Sequence, residues 1–576
     1  MASRMKDVVE TETDVLVIGG GFAGMWAAIA AREAGQRVVL VDKGMVARSG
    51  PSSFIAGILL IWTPEYNKDE WFEEIVVEGE YLADQDWVKI YIDESYERYL
   101  QADEWSRKYG KQIFERDANG NLVRRQARSH IKTYCTIVQA RPYVDVLRRK
   151  CRELGVNLVE RVMVNDLLLA DGKAGGAFGF NYRTGESHLF RAKAVVMTAG
   201  ATAFKGIFLG MKNITGDGVS AAFRAGATLQ NMEIFLSNTC SADYDIHGMN
   251  LMVSIGGKFI NGLGERFMHK YDPHLGDRAN LHHLALAFSR EVMEGRGPIY
   301  LDATACSDAD RALCRKILPE TFKVYDQIGY SPLDRPMKWV PVPRGHVGNG
   351  GGIAINTSCE TNIPGLFAAG DSAWKANNGS GGAPAGKAAG FAIVSGHRCG
   401  RFAGEYAAGQ AEAPAQSEVI DAFKQARHTY VQPVLRTSGI DPDEVVRQLQ
   451  DMLFKCEVFY IKSEKRIQDT IDRLSEMRAE LLPQLHATDL HVLAKANEVK
   501  NMLLVAEALF RSAQVRKESR GTHFVEEYPI TNNRDWLKHT FVQKDRDGWK
   551  LWAEDVPTPY IRPTEEFTTP AGIRRE

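Results

Sequence analysis

The chain has 576 residues, 44% hydrophobic and 25% charged, an ordinary globular balance and more length than a single hydrophobic core fills. Its formal net charge of −2 recommends neither nucleic acid nor an anionic membrane as a partner. No apolar run nears the ~20 residues that span a bilayer, and the first ten residues lack the basic patch and apolar stretch of a signal peptide. A cytoplasmic location is the default expectation. The eight cysteines, at 135, 151, 240, 306, 314, 359, 399 and 456, form no C-x-x-C pair. Neither a zinc site nor an iron–sulfur cluster follows from them. If the chain exchanges single electrons, the clusters must sit on another protein.

In chain order, residues 14–18, Asp-Val-Leu-Val-Ile, predict a strand buried in a parallel sheet. They lead straight into Gly19-Gly20-Gly21-Phe22-Ala23-Gly24 and then into 25–31, an apolar stretch that predicts a helix. Gly19, Gly21 and Gly24 occupy G-x-G-x-x-G positions. The first permits the tight turn, the second lets backbone approach a pyrophosphate, and the third lets helix pack on strand. Free N–H groups at the helix start, around Phe22 and Ala23, take the anion. A second strand, 37–41, ends at Asp42, 18 residues beyond Gly24, where a carboxylate can take ribose hydroxyls; Lys43 follows. Residues 192–198 predict an apolar strand closing on Ala199-Gly200, and 363–369 another closing on Gly370-Asp371. In flavoproteins a carboxylate at that last place meets the ribityl chain, so the expected dinucleotide is FAD on an α/β fold. Residues 407–416 read as a linker. Beyond them, 445–477 and 490–516 carry helical apolar spacing, with Pro483 between.

Thr215-Gly216-Asp217-Gly218, with 221–227 and Met232-Glu233 after it, resembles the signature of the fumarate reductase and succinate dehydrogenase flavoprotein superfamily. That group also holds L-aspartate oxidase and the alpha subunit of adenylylsulfate reductase. Residues 264–268, 294–302 and 518–523 match it in order, so the likeness covers 12 to about 540. The resemblance implies a Rossmann-like FAD-binding domain in two parts, 1–232 and 342–412. An α+β capping domain, 233–341, would be inserted between them, and a C-terminal helical domain with its tail would fill 413–576. It also implies cofactor contacts from Arg48, Ser49, Gly50, Gly57, Asp217, Lys387 and Ala388. Lys387 lies in the glycine-rich run that becomes the helix under the flavin's pyrimidine end, where a positive helix end favours reduced flavin. Trp374 and Lys375 would edge the ring.

The chain leaves the family pattern at several places. Succinate dehydrogenases bond their flavin to a His in an Arg-Ser-His-Thr segment; here the stretch is Arg48-Ser49-Gly50-Pro51, so the FAD is expected to be non-covalent. The family's His-Pro-Thr segment of the cap is Ser237-Asn238-Thr239. The family's proton-donating Arg, sixteen residues upstream of Gly297, falls on Leu281 within Asn280-Leu281-His282-His283. The second substrate Arg is missing from 377–382. Because paired Arg forks bind carboxylates, C4 dicarboxylates are not expected as substrates. Arg48-Ser49-Gly50 and Gly297-Pro298-Ile299-Tyr300 lean toward the adenylylsulfate reductase alpha branch.

Any reaction must meet the flavin beneath the cap. His346, offset by one residue from the family's substrate-touching His, suits proton transfer, and Arg344 suits an anionic group; the same His could equally support the glycine turn that follows. His282 and His283 could take over the lost Arg's role or form a helix face. Arg128, His130, Lys132, Tyr134 and Arg141 either face an anionic substrate or form a solvated surface. The leading expectation is a catalytic FAD subunit working with a ferredoxin-like iron–sulfur partner on a small, non-dicarboxylate anion. Two alternatives stay open: a self-contained FAD dehydrogenase or oxidase of a small organic acid, and a flavin-bearing electron relay without a substrate of its own.

Overall fold

The computed structural model describes residues 7–568 except 56, 208, 238, 341–345, 382, 383 and 547; at 236, 237 and 346–349 it describes the backbone alone. Strand β1 (Val8–Ile18) starts exposed and ends fully buried. The sequence pattern predicts only its buried end, because the polar run Glu10-Thr11-Glu12 hides a first half that pairs in parallel with the segment from Ser187. After the glycine turn, α1 (Phe22–Glu33) is buried from Phe22 to Ala31. β2 (Val38–Asp42), β3 (Asn157–Glu160), β4 (Val162–Ala170), β5 (Lys173–Asn181) and β6 (Ser187–Met197) complete the sheet in the order β3-β2-β1-β6-β5-β4. β3, β2, β1 and β6 run parallel, while β5 lies antiparallel to both of its neighbours, β6 and β4. α2 (Asp217–Arg224) follows the sheet, after a turn closed by Gly216.

Residues from Cys240 to Val340 build a second layer. Its four antiparallel strands, ordered Cys240–Ser241, Met337–Val340, Ile299–Asp302 and Lys258–Ile260, pack with α3 (Leu281–Met293) around Phe259, Phe267, Phe288 and Trp339. Ile58, Ala127, Ile137 and Ala385, which lie outside that stretch, share the same apolar cluster. The strand Phe235–Ser237 pairs antiparallel with His346–Asn349, so the chain enters and leaves this layer on two neighbouring strands.

β7 (Leu366–Ala368) then joins β6 in parallel, and α4 (Lys387–Ala408) crosses α1. The crossing is close because Gly396 and Gly400 face the backbone of Ala23 and Ala27, where a Cβ would overlap. A helix Gln416–Leu435, which apolar spacing does not reveal, follows, and α5 (Leu490–Val515) is buried on nearly every side. The last part is not only helical. The hairpin Lys538–Asp545 and Gly548–Asp555 adds itself to Leu229–Gln230, next to the FAD-binding sheet.

Candidate functional site

A cavity of about 470 Å³ opens where β1, β2 and β6 end. Gly19–Ala23, Asp42 to Gly44, Ser49–Ser52, Ala199–Gly200, Asp217 and Asp371 line it. Gly19 sits at φ +109°, and a Cβ on it would overlap the Thr198 carbonyl; one on Gly24 would overlap the carbonyl of Gly19. Those two glycines therefore let α1 start directly on the end of β1. The helix begins at Gly21 with no side-chain cap and no acidic residue in its first turn, so its positive end faces the cavity without an internal counter-charge. Asp42 accepts from the Gly20 N–H (2.7 Å) and the Gly44 N–H (2.6 Å), and Ser49 Oγ lies 3.2 Å from the same carboxylate. A glycine cradle, an uncapped helix start and an acid at the next strand end are the donor set that a dinucleotide needs.

Beside this wall stands a buried charge cluster. Lys43 Nζ donates to Thr215 (2.9 Å), Asp217 (2.7 Å) and Glu498 (2.8 Å), and Lys205 pairs with the other oxygen of Glu498 at 2.6 Å. Burial pulls the Lys43 ammonium down, but Asp217 and Glu498 outweigh it and hold the group raised. Asn501 Nδ2 also donates to Asp217 (2.8 Å), so α5 supplies two of the partners from hundreds of residues away.

On the far side of α4's start lies a second polar region, between the two layers. His282 Nε2 meets Glu80 at 2.7 Å and His283 Nδ1 meets Asp272 at 2.8 Å. Glu80 is pulled down to about 2: burial opposes this, and His282 and Arg520 overcome it. Burial, then His282, lowers His283 to about 4. Arg128 donates from Nε to Asn250 Oδ1 (3.3 Å) and from Nη1 to Asn280 Oδ1 (3.1 Å). Asn280 Nδ2 in turn donates to the Glu78 carbonyl (3.0 Å). The Glu78 carboxyl is pushed up to about 8 by burial and by Glu74, Asp272 and Glu80.

A family model described as FAD binding domain matches residues 14–390, and one described as fumarate reductase flavoprotein C-term matches 447–567. The chain belongs to the fumarate reductase and succinate dehydrogenase flavoprotein family. One subunit of a fumarate reductase (CoM/CoB) from Methanothermobacter marburgensis is 28% identical, over 92% of this chain and 97% of its own. A variant of E. coli quinol fumarate reductase superposes with a TM-score of 0.83 at 23% identity, covering 97% of this chain and 99% of its own. Adenylylsulfate reductase from Archaeoglobus fulgidus gives 0.79 at 21% identity, with 97% and 98% covered. The protein is an FAD-dependent oxidoreductase, and its cofactor is FAD. Among the described residues, no helix is long and apolar enough to cross a membrane.

In this flavoprotein the cavity gathers Gly19, Gly21, Phe22, Ala23, Asp42, Lys43, Ser49, Gly50, Ala199, Gly200, Asp217 and Asp371. Other expected contacts stand off it for local reasons. Gly24 and Gly370 shape the backbone behind the wall, and Arg48 turns outward to Asp145. Gly57 makes room for Ile317 of the second layer. Lys387 is fully buried at the start of α4, lowered by burial and by Arg128, and Ala388 follows it on the helix; neither lines the cavity. Trp374 packs on His539 (4.6 Å between rings) and Lys375 pairs with Asp371 at 3.3 Å.

Arg344 lies outside the described residues, as does the side chain of His346, whose backbone opposes Ser237. His282 and His283 come together but face carboxylates. The cationic stretch splits: Arg128 and His130 are buried, Lys132 is exposed, and Tyr134 stacks on Tyr66 at 5.4 Å. Arg141 lies over the Phe54 ring at 4.7 Å. Motif reading misses Glu80, Glu78, Lys205 and Glu498. For Glu498 a signal exists, an acid inside the apolar run of α5; Glu78 and Glu80 carry none.

Proposed function

We propose that this flavoprotein is the catalytic FAD subunit of a two-component oxidoreductase. It moves electrons between a small non-dicarboxylate anion, held under a cap formed by 233–341, and a separate ferredoxin-like iron–sulfur protein. FAD supplies a ring that can exchange a pair of electrons with a substrate and single electrons with a cluster. The residues of the chain bind and orient: the Gly19–Ala23 wall and Asp42 hold the dinucleotide, and His346 carries a proton where substrate meets the ring. The partner is inferred from the eight separated cysteines, all of them free thiols, which leave this chain no cluster of its own.

Leu281 carries the substrate class. It stands where the family's proton-donating Arg is expected, and it is buried with Leu284 and Phe288 in apolar packing. The M. marburgensis relative is named for fumarate. Against fumarate here stand this apolar side chain and the lack of an Arg in 377–382.

The test uses FAD-loaded protein with reduced benzyl viologen and fumarate, then with a reduced ferredoxin of two clusters as electron donor. The expected result is no fumarate turnover, together with flavin reduction by the ferredoxin. Fumarate turnover at ordinary enzymatic rates, roughly 1–10³ per second, would overturn the substrate class. Sustained turnover of a small organic acid with oxygen or a quinone would make a self-contained dehydrogenase or oxidase the better reading.

A further inference from the structure

Among the described residues, buried arginines follow a rule with one exception. Arg98, Arg148, Arg516 and Arg520 are each ion-paired, to Glu97 (2.6 Å), Glu160 (2.5 Å), Glu233 (2.6 Å) and Glu518 (2.7 Å). Arg128 is 3% exposed, yet its hydrogen bonds go only to the neutral carboxamides of Asn250 and Asn280, and its Nη2 bonds to no described residue. The acidic group whose charge reaches it, Glu78, does not supply a firm counter-ion, since burial and the surrounding carboxylates push that carboxyl up to about 8. Lys387, also fully buried, supplies no counter-charge either: burial first, and then the Arg128 charge, lower its ammonium well below the ordinary value. A buried guanidinium without a counter-ion is costly. It persists where something outside the chain completes it.

Its place gives it a use. The Arg128 carbonyl accepts from the Ala385 N–H (3.1 Å), two residues before α4 begins, so the residue is tied to the FAD-binding side. Its guanidinium reaches the opposite layer, where Asn280 is the N-cap of α3 and the immediate neighbour of Leu281. One side chain thus bridges the two layers at the position where a cap arginine has given way to leucine.

We propose that Arg128 is the anion-binding residue of the substrate site. Its free Nη2 edge takes a carboxylate or equivalent oxyanion of the substrate, and Asn250 and Asn280 hold the guanidinium in plane. This rests on the reading that a substrate lies under the cap. The fork of a lost cap arginine is replaced by one from the FAD-binding side, with different reach, which selects a different acid from the C4 dicarboxylates.

The test uses oxidised, FAD-loaded protein without partner or turnover, so it stands apart from the electron route proposed above. Thermal midpoints and calorimetric titrations are measured with acetate and with sulfate, against chloride at equal ionic strength, for wild type, Arg128→Gln and Arg128→Met. The wild type should bind acetate or sulfate saturably and melt higher with it. Both variants should lose that response, with affinity down about tenfold to a hundredfold. They should keep their FAD and melt no lower than wild type in anion-free buffer, because a buried charge without a counter-ion has been removed. A purely structural Arg128 gives the opposite pattern: variants that fail to fold, or that melt several degrees lower. Either of those, an unchanged anion response in the variants, or no response in wild type, overturns the proposal.

Discussion

Single atoms decide much at the flavin cavity. Gly50 lines it at φ +74°, and the one imidazole among its described lining residues, His491, sits beside Tyr182, 6.5 Å between rings, on the β4–β5 side. With no nucleophilic ring at the attachment position, FAD is expected to leave in full on acid precipitation; yellow fluorescence that stays with the denatured band on a gel would refute this. Gly24 sets a tighter limit. A methyl group there overlaps the Gly19 carbonyl and strikes Thr198 Oγ1, so Gly24→Ala must lift α1 off β1. Overpacking of that kind costs about 1–3 kcal/mol, and it falls on the turn that holds the dinucleotide. FAD affinity should drop roughly tenfold or more, as read by fluorescence on reconstitution. Unchanged affinity would mean that the turn is not the cofactor's wall.

Between elements, paired charges do what apolar packing does inside them. Glu233, Arg516, Glu518 and Arg520 are joined by contacts of 2.6, 2.8 and 2.7 Å, all fully buried, and Arg520 continues to the Glu80 carbonyl at 2.6 Å. The segment after α5 is thereby fastened to Glu233, just beyond the strand Leu229–Gln230, and to the polar region between the two layers. Arg516→Met should destabilise strongly, by about 3–5 kcal/mol, since it leaves Glu233 and Glu518 buried together without their shared cation. This is the reverse of what Arg128→Met should do, although both remove a buried guanidinium. Paired melting curves of the two variants decide it, and equal shifts would refute the distinction. These networks also mark the limit of what the sequence makes legible. The G-x-G-x-x-G turn, Asp42 and Asp371 are legible because each is local, a few residues around one strand end. Glu498 with Lys43, or Glu80 with His282, are separated by hundreds of residues, and only the folded path brings them together. The likeness to the flavoprotein family supplies the layering that periodicity does not. Even so, it assigns Lys387 to the cofactor, and that residue is buried at the start of α4 outside the residues that line the cavity.

Across the whole molecule, burial of imidazoles sets the response to acid. Burial pulls His130, His247 and His283 down to about 4, and His397 and His539 to about 3, from an ordinary 6.5. A folded-state value below the unfolded one means that the unfolded chain binds more protons between the two. The stability these groups contribute is therefore present above pH 6.5 and is lost as pH falls from there toward 4. Glu78 works against them. Its carboxyl, pushed up to about 8, keeps its proton in the folded state where the unfolded chain has released it, so its own contribution weakens as pH rises from 4.5 to 8. Below pH 6.5 these imidazoles, with His188 and His523 lowered by burial as well, outweigh Glu78 and the raised carboxyls of Asp84 and Glu94, and each net proton is worth about 1.4 kcal/mol per pH unit. Urea midpoints of the FAD-loaded protein should thus fall steeply from pH 7 to pH 5. His130→Gln should flatten that slope by one proton's share, since its ring, bonded to Thr133 and the Ala385 carbonyl, faces the charges of Arg128 and Arg278. Midpoints that hold steady or rise on acidification would show that these rings are already charged, or reached by water, in the folded protein.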